Sequence, residues 1–76
     1  MYVDEAIKQV SIELSKATGA FGAFHTIHEG LAVILEEYEE LKAEVFKKAE
    51  LRDIGKLRHE AKQVAAMGIR FMVDLT

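Results

Sequence analysis

Acidic side chains near the middle of the chain are the residues best suited to chemistry. Glu36, Glu37 and Glu40 stand close together in a segment whose apolar residues recur with a helical period. At about 100° per residue, Glu37 lies about 90° from the centre of the apolar stripe, in the row between Ile34 and Leu41. Glu40 follows one turn later, so two carboxylates share one flank of a predicted helix.

A second pair of oxygen-bearing side chains stands nearer the end of the chain. Glu60 lies about 70° from the apolar stripe of its own segment, and Gln63 follows one turn later. Two antiparallel helices could then face each other, each with an i, i+3 pair. Helical bundles build hard-cation sites in this way, and Mg²⁺ suits such a site because it prefers oxygen ligands. The alternative is a solvated face whose glutamates pair with nearby lysines.

An amphipathic helix is predicted at the start of the chain, because its apolar residues recur every three or four positions. The pattern stops at Thr18-Gly19, where glycine suits the position after a helix. Residues 18–26 then form the one clear predicted loop, in which glycines alternate with Phe21 and Phe24. Both phenylalanines are predicted to plug the open end of a small bundle, although either could instead stack on a base.

Two further helices must position the carboxylates. A T-x-x-E capping box predicts that the second helix begins at about Ile27, and its pattern continues to about residue 49. Asp53 is predicted to cap the third helix, whose pattern restarts at Ile54. The predicted fold is all-α, a small bundle of two long helices and one shorter helix in a single domain over residues 1–76. The apolar stripe of the second helix comprises Leu31, Ile34, Leu35, Tyr38, Leu41 and Val45, and core packing is expected for Tyr38.

Length and composition exclude several classes of protein. A chain of 76 residues and 8.5 kDa buries only about 60% of its surface on folding, so a metal or a partner subunit is expected to stabilise it. The absence of cysteine excludes disulfides, zinc–thiolate sites and thiol nucleophiles. The net charge of −3 disfavours duplex nucleic acid as a partner. No apolar run approaches the roughly 20 residues of a membrane span and no signal peptide is recognisable, so a cytoplasmic protein without a membrane partner is expected.

The third helix is apolar over a wide arc, because Met67, Ile69 and Val73 lie outside its main stripe. An exposed arc of this kind usually meets another subunit. The sequence therefore predicts a homodimer or homotetramer, and a symmetric dimer would complete a larger helical bundle.

The chain carries several short stretches that belong together, within roughly residues 24 to 75: His28-Glu29-Gly30, Ala32–Glu37 with Glu40, Glu60-x-x-Gln63, Gln63–Met67 and Arg70-Phe71. Taken together, these stretches resemble the MazG-like nucleotide pyrophosphohydrolases of the all-α NTP pyrophosphatase superfamily. The family pattern is EExxE followed by ExxD, so Gln63 stands where the family has aspartate. An amide oxygen can coordinate Mg²⁺, but it carries no charge.

The resemblance implies an oligomeric enzyme that uses Mg²⁺ to hydrolyse a nucleoside triphosphate, ribo or deoxy, to the monophosphate and pyrophosphate. It implies that Glu37, Glu40 and Glu60 are magnesium ligands and that Gln63 occupies the fourth ligand position. Glu36 would be the further carboxylate that orients or deprotonates the attacking water.

Four cations are weaker candidates for binding the triphosphate. Lys47 and Lys48 could steer it, but lysines at a helix C-terminus also stabilise the helix. Arg58 and Arg70 could bind a phosphate, or pair with a glutamate on a neighbouring helix.

Two other function classes remain open. One is a non-catalytic helical dimerisation module whose metal site has degenerated at Gln63, and metal titration separates it from the enzyme. The other is a small partner-binding protein that uses the loop between Phe21 and Phe24.

Overall fold

A computed structural model shows an all-helical chain, which confirms the predicted fold class. It describes the backbone of residues 1–20 and 22–76 and the side chains of residues 1–17 and 22–76. No strand occurs in this described part of the chain. The elements are α1 (Val3–Ala20), α2 (Ile27–Val45), a 3-10 turn (Ala49–Leu51) and α3 (Ile54–Leu75).

The helix boundaries differ from the prediction at two places. α1 continues through Thr18-Gly19 to Ala20, so at 18 residues it is nearly as long as α2 with 19, and the prediction of one shorter helix was wrong. α2 ends at Val45 rather than near residue 49. The N–H of Lys47 donates to the carbonyl of Glu44 at 3.4 Å, three residues back, which tightens and closes the last turn.

Side-chain caps confirm the predicted starts of α2 and α3. The Thr26 hydroxyl accepts a hydrogen bond from the backbone N–H of Glu29 at 3.0 Å. The Asp53 carboxylate accepts from the N–H groups of Gly55 and Lys56 at 2.8 and 3.3 Å. Each cap satisfies N–H groups that have no partner within their own helix.

α3 is the central helix, and α1 and α2 both pack on it. In the described residues no Cα atom of α1 lies within 8 Å of a Cα atom of α2. α2 is antiparallel to α3, because Gly30 near its start faces Phe71 and Leu75 near the end of α3. A Cβ on Gly30 would lie 2.7 Å from the ring of Phe71, so only glycine allows this close approach. The arrangement leaves a cleft between α1 and α2.

The core is small and lies where α1 and α3 meet the loop before α2. Its buried residues are Ala17, Phe24, Ala66 and Met67. Phe24 is only 6% exposed, so it plugs the open end as predicted, whereas Phe21 lies outside the described residues. The prediction that Met67 belongs to an exposed arc was wrong, because it is 5% exposed and packs into this core.

α2 turns only part of its apolar stripe toward α3. Ile34 and Leu41 are half-buried, but Tyr38 is 49% exposed and the expectation that it packs in the core was wrong. The physical reason is that, among the described residues, α3 is the helix that packs on α2, and the two meet along the row of Gly30. The remaining large side chains form an exposed surface, called here the α2 apolar stripe: Ile27, Leu31, Leu35, Tyr38 and Val45.

The molecule exposes more surface than a compact chain of its mass. Its accessible surface is 5516 Å², against roughly 4,700 Å² expected for a compact monomer of 8.5 kDa. Its radius of gyration is 13.2 Å, against about 11.4 Å expected for this length. Among the described residues, no helix combines the length and the apolar character that a membrane crossing requires.

Candidate metal centre

Three glutamates from two helices converge at one point of the α2–α3 interface. Glu37 and Glu40 lie one turn apart on α2, and Glu60 faces them from α3. One carboxylate oxygen from each residue lies within 4.8 Å of the others. Glu37 and Glu60 are half-buried and Glu40 is exposed. The antiparallel packing of α2 on α3 thus brings together the carboxylates that the sequence placed on two facing helices.

The electrostatics of this cluster favour a bound cation. Burial raises the pKa of Glu37, and the charges of Glu40 and Glu60 raise it further. Burial also raises the pKa of Glu60, with added contributions from its side-chain hydrogen bond to Glu40 and from the charge of Glu40. One oxygen of Glu60, Oε2, is buried without a hydrogen-bond partner. A divalent cation with a preference for oxygen ligands would satisfy that oxygen and relieve the repulsion.

Glu44 extends the acidic row by one turn, although it lies outside the motif residues that the sequence singles out. Its charge contributes to the raised pKa of Glu60, and its own Oε2 is buried without a hydrogen-bond partner. Its Oε1 accepts a hydrogen bond from the Lys47 ammonium at 2.8 Å. The signal in the sequence was the spacing of seven residues from Glu37, which places both residues on the face that meets α3.

A cavity of about 550 Å³ occupies the cleft between α1 and α2, beside the glutamates. Glu37 belongs both to the carboxylate cluster and to the wall of this cavity, and Glu36 lines the same wall. Lys16 lines the cavity from α1, and Arg70 lines it from α3. Pockets that hold small ligands typically measure roughly 300 to 1,000 Å³. The cavity is therefore large enough for a ligand of nucleotide size.

Gln63 lies on the cavity wall and is held by α1. Its amide nitrogen donates to Glu13 Oε1 at 2.6 Å, and Glu13 Oε2 lies 3.8 Å from the Lys62 ammonium. An aspartate at this position would have no proton to donate and would set a second negative charge against Glu13. The contact with α1 therefore gives a physical reason for an amide where the resembled family has an acid.

Three of the four cations named as candidates for binding substrate lie away from the cavity wall. Lys47 pairs with Glu44, and Lys48 is exposed just before the 3-10 turn. Arg58 lies on the α1 side of α3, beside Val10 and Ala61. The fourth candidate, Arg70, does line the cavity, and the structure adds Lys16, which no local pattern in the sequence distinguishes.

No protein-family model matches this chain, and no curated protein or solved structure is found to be similar to it.

Proposed function

We propose that this chain is a Mg²⁺-dependent nucleoside triphosphate pyrophosphohydrolase of the MazG-like type. The observation that supports the proposal best is the convergence of Glu37, Glu40 and Glu60 within 4.8 Å beside a cavity of nucleotide size. The products would be a nucleoside monophosphate and pyrophosphate. The proposal joins this geometry to the sequence resemblance.

Glu37, Glu40 and Glu60 would hold the Mg²⁺ ion, and Glu44 is close enough to Glu60 to add to the negative field. The donor set fits a hard cation, because it consists only of carboxylate oxygens and one of them has no other partner. When bound, Mg²⁺ would neutralise charge on the phosphates and lower the pKa of water.

Other side chains of the cavity would position and activate the reactants. Glu36 is exposed on the cavity wall next to Glu37, so its carboxylate can accept a proton from the attacking water. Lys16 faces the cavity from the opposite helix and would attract the triphosphate. Gln63 would contribute a neutral oxygen, since its amide nitrogen is bonded to Glu13.

A homodimer is part of the proposal. The α2 apolar stripe leaves Leu31 and Leu35 60% and 54% exposed, one turn apart. None of the larger side chains among the described residues is fully buried, so the isolated chain lacks a substantial core. A second copy that covers the stripe would remove apolar surface from water at about 25 cal/mol per Å².

The bond between Gln63 and Glu13 favours a second candidate, the non-catalytic dimerisation module. Because the amide adds no charge and already has a partner, the metal site has one acid fewer than the family pattern. In that case the helices would keep their packing and the α2 apolar stripe would still bind a second copy, but the protein would not hydrolyse nucleotides.

A metal titration combined with an activity screen tests the enzyme against the module. We expect calorimetry to show Mg²⁺ binding in the presence of a non-hydrolysable NTP analogue, and a screen of NTPs and dNTPs to release pyrophosphate. Glu37→Gln should abolish both, because it removes one of three anionic ligands. Glu39→Gln is the matched control, since Glu39 is 57% exposed and pairs with Lys42 outside the cluster. Wild-type protein that binds no metal even with nucleotide would contradict the enzyme and favour the module.

A further inference from the structure

Arg70 is a buried cation of the cavity, and several of its hydrogen-bond donors have no oxygen partner in the described residues. The residue as a whole is 3% exposed. Nη2 donates to the carbonyl of Gly22, whereas the hydrogen bond of Nη1 within the described residues is to the sulfur of Met67 at 3.9 Å. Nε is buried without a hydrogen-bond partner, with Asp74 Oδ2 3.9 Å away. Because a guanidinium carries five N–H donors in one plane, donors remain for a ligand in the cavity.

The guanidinium is held in one orientation by the loop before α2. Its central carbon lies 4.3 Å from the centroid of the Phe24 ring, and Phe24 is itself buried. The N–H of Phe24 donates to Asp74 Oδ2 at 2.9 Å, which ties the loop to the same turn of α3. A donor group fixed in this way loses little conformational freedom when a ligand binds.

The position of Arg70 relative to the glutamates suits the base of a nucleotide. Glu60, Gln63, Met67 and Arg70 follow one another on α3 at intervals of three and four residues, so they form one row. At a rise of 1.5 Å per residue, Arg70 lies about 15 Å along the helix from Glu60. A nucleotide whose phosphates are held at the glutamates would direct its base toward Arg70.

The surroundings of Arg70 favour a neutral acceptor over a phosphate. Asp74 offsets the positive charge, and the ring of Phe24 and the thioether of Met67 make this end of the cavity apolar. A phosphate placed here would lose its hydration and lie near the carboxylate of Asp74. A nucleobase instead offers flat apolar faces together with carbonyl and ring-nitrogen acceptors on its edge.

We propose that Arg70 reads the edge of the base in the cavity and selects guanine over adenine. The forked guanidinium matches the O6 and N7 acceptors of guanine, whereas adenine carries an amino donor at the position of O6. The inference rests on the proposed function for its placement of the phosphates at the glutamates. It makes Arg70 a specificity-determining residue of the proposed reaction.

Binding of nucleoside monophosphates without metal tests the inference apart from catalysis. We expect calorimetry to show that wild-type protein binds GMP roughly 5- to 150-fold more tightly than AMP, the range for one bidentate arginine–base pair. Arg70→Lys keeps the charge and loses the fork, so the GMP-to-AMP ratio should fall close to one. Arg52→Lys is the matched control, because Arg52 also donates to a backbone carbonyl, that of Lys47 at 3.0 Å, but is exposed.

Three further arms make the outcome decisive. If Arg70→Lys loses helical content, the binding of 7-deaza-GMP to wild-type protein is measured instead. This analogue lacks the N7 acceptor, so it should bind wild-type protein more weakly than GMP does. Equal wild-type affinities for GMP and AMP, or an unchanged ratio in Arg70→Lys, would overturn the inference. Pyrophosphate that binds wild type and not Arg70→Lys would assign Arg70 to phosphate instead. Glu37→Gln should lose Mg²⁺ binding and keep the GMP-to-AMP ratio, so failure of the metal site is distinguished from failure at Arg70.

Discussion

The surroundings of Glu60 disfavour the ionised form of its carboxyl group. Burial raises its pKa above the ordinary value of 4.5, and Glu40 raises it further, while Glu37 shifts in the same direction for the same first reason. Folded protein therefore holds these two protons more tightly than unfolded chain does. The contribution of the pair to stability is present below pH 4.5 and is lost as the pH rises through the raised folded-state values.

Removing one charge from the cluster should therefore stabilise the metal-free protein. We expect Glu60→Gln to raise the thermal midpoint by a few degrees at neutral pH and to leave it unchanged at about pH 3, where the carboxylates are protonated in both states. Mg²⁺ should raise the midpoint of wild type at neutral pH and have little effect on the variant. Circular dichroism melts measure both effects, with Glu39→Gln as the exposed control. A lower midpoint for Glu60→Gln at neutral pH would contradict the repulsion argued here.

Single residues differ in how far the sequence could predict their environment. Glu37 and Glu60 could be placed on facing helices, because helical period fixes the angle of a side chain relative to its own apolar stripe. The bond from Gln63 to Glu13 joins residues 50 positions apart, and the contact of Arg70 with Gly22 joins residues 48 apart. No local pattern encodes such contacts, since they depend on how α1 and the loop lie on α3.

At the scale of elements, periodicity predicted that three helices form, and the capping residues Thr26 and Asp53 predicted where two of them begin. It could not predict which part of a stripe meets a neighbour, because that depends on the number and position of the neighbours. Gly30 shows the difference. Its absent side chain lets α2 approach Phe71 and Leu75, which turns Leu31 and Leu35 away from α3. In the sequence Gly30 is a glycine inside a helical pattern and the last residue of the His28-Glu29-Gly30 stretch, and neither feature specifies a close contact with α3.

Two helical glycines should therefore respond in opposite ways to alanine. A methyl group added at Gly68 would meet open space, so Gly68→Ala should stabilise α3 by about 0.5–1 kcal/mol through helix propensity alone. Gly30→Ala would place Cβ 2.7 Å from Phe71 and 2.8 Å from Leu75, and we expect a loss of about 1–2 kcal/mol despite the same propensity gain. Urea unfolding measures both free energies. A gain at Gly30 equal to that at Gly68 would show that α2 does not approach α3 this closely.

At the scale of the whole molecule, the two flanks of α2 have different roles. Val33 and Glu36 line the cavity, whereas Leu31, about 160° around the helix from Val33, belongs to the exposed apolar stripe. A second copy can therefore cover the stripe without entering the cleft. Dimerisation would then stabilise the wall that carries Glu37 while substrate still has access from the side of α1.

In the proposed dimer, either of two exposed apolar surfaces could join the two copies. The sequence pointed to an arc on α3, where Val73 is 72% exposed, whereas the structure offers the longer stripe on α2. We expect the double variant Leu31→Glu with Leu35→Glu to sediment as a monomer at micromolar concentration and to melt at lower temperature than wild type, because charges on the interface oppose its burial. Val73→Glu is the matched control, with one exposed apolar side chain changed outside the stripe, and should leave the dimer intact. If Val73→Glu dissociates the dimer and the double variant does not, the interface lies on α3. A wild-type protein that is monomeric and fully stable would contradict the proposed dimer.

If the stripe is the interface, the double variant should also bind Mg²⁺ more weakly than wild type. The reason is that α2 supplies Glu37 and Glu40 and would lose the neighbouring subunit that holds its outer flank.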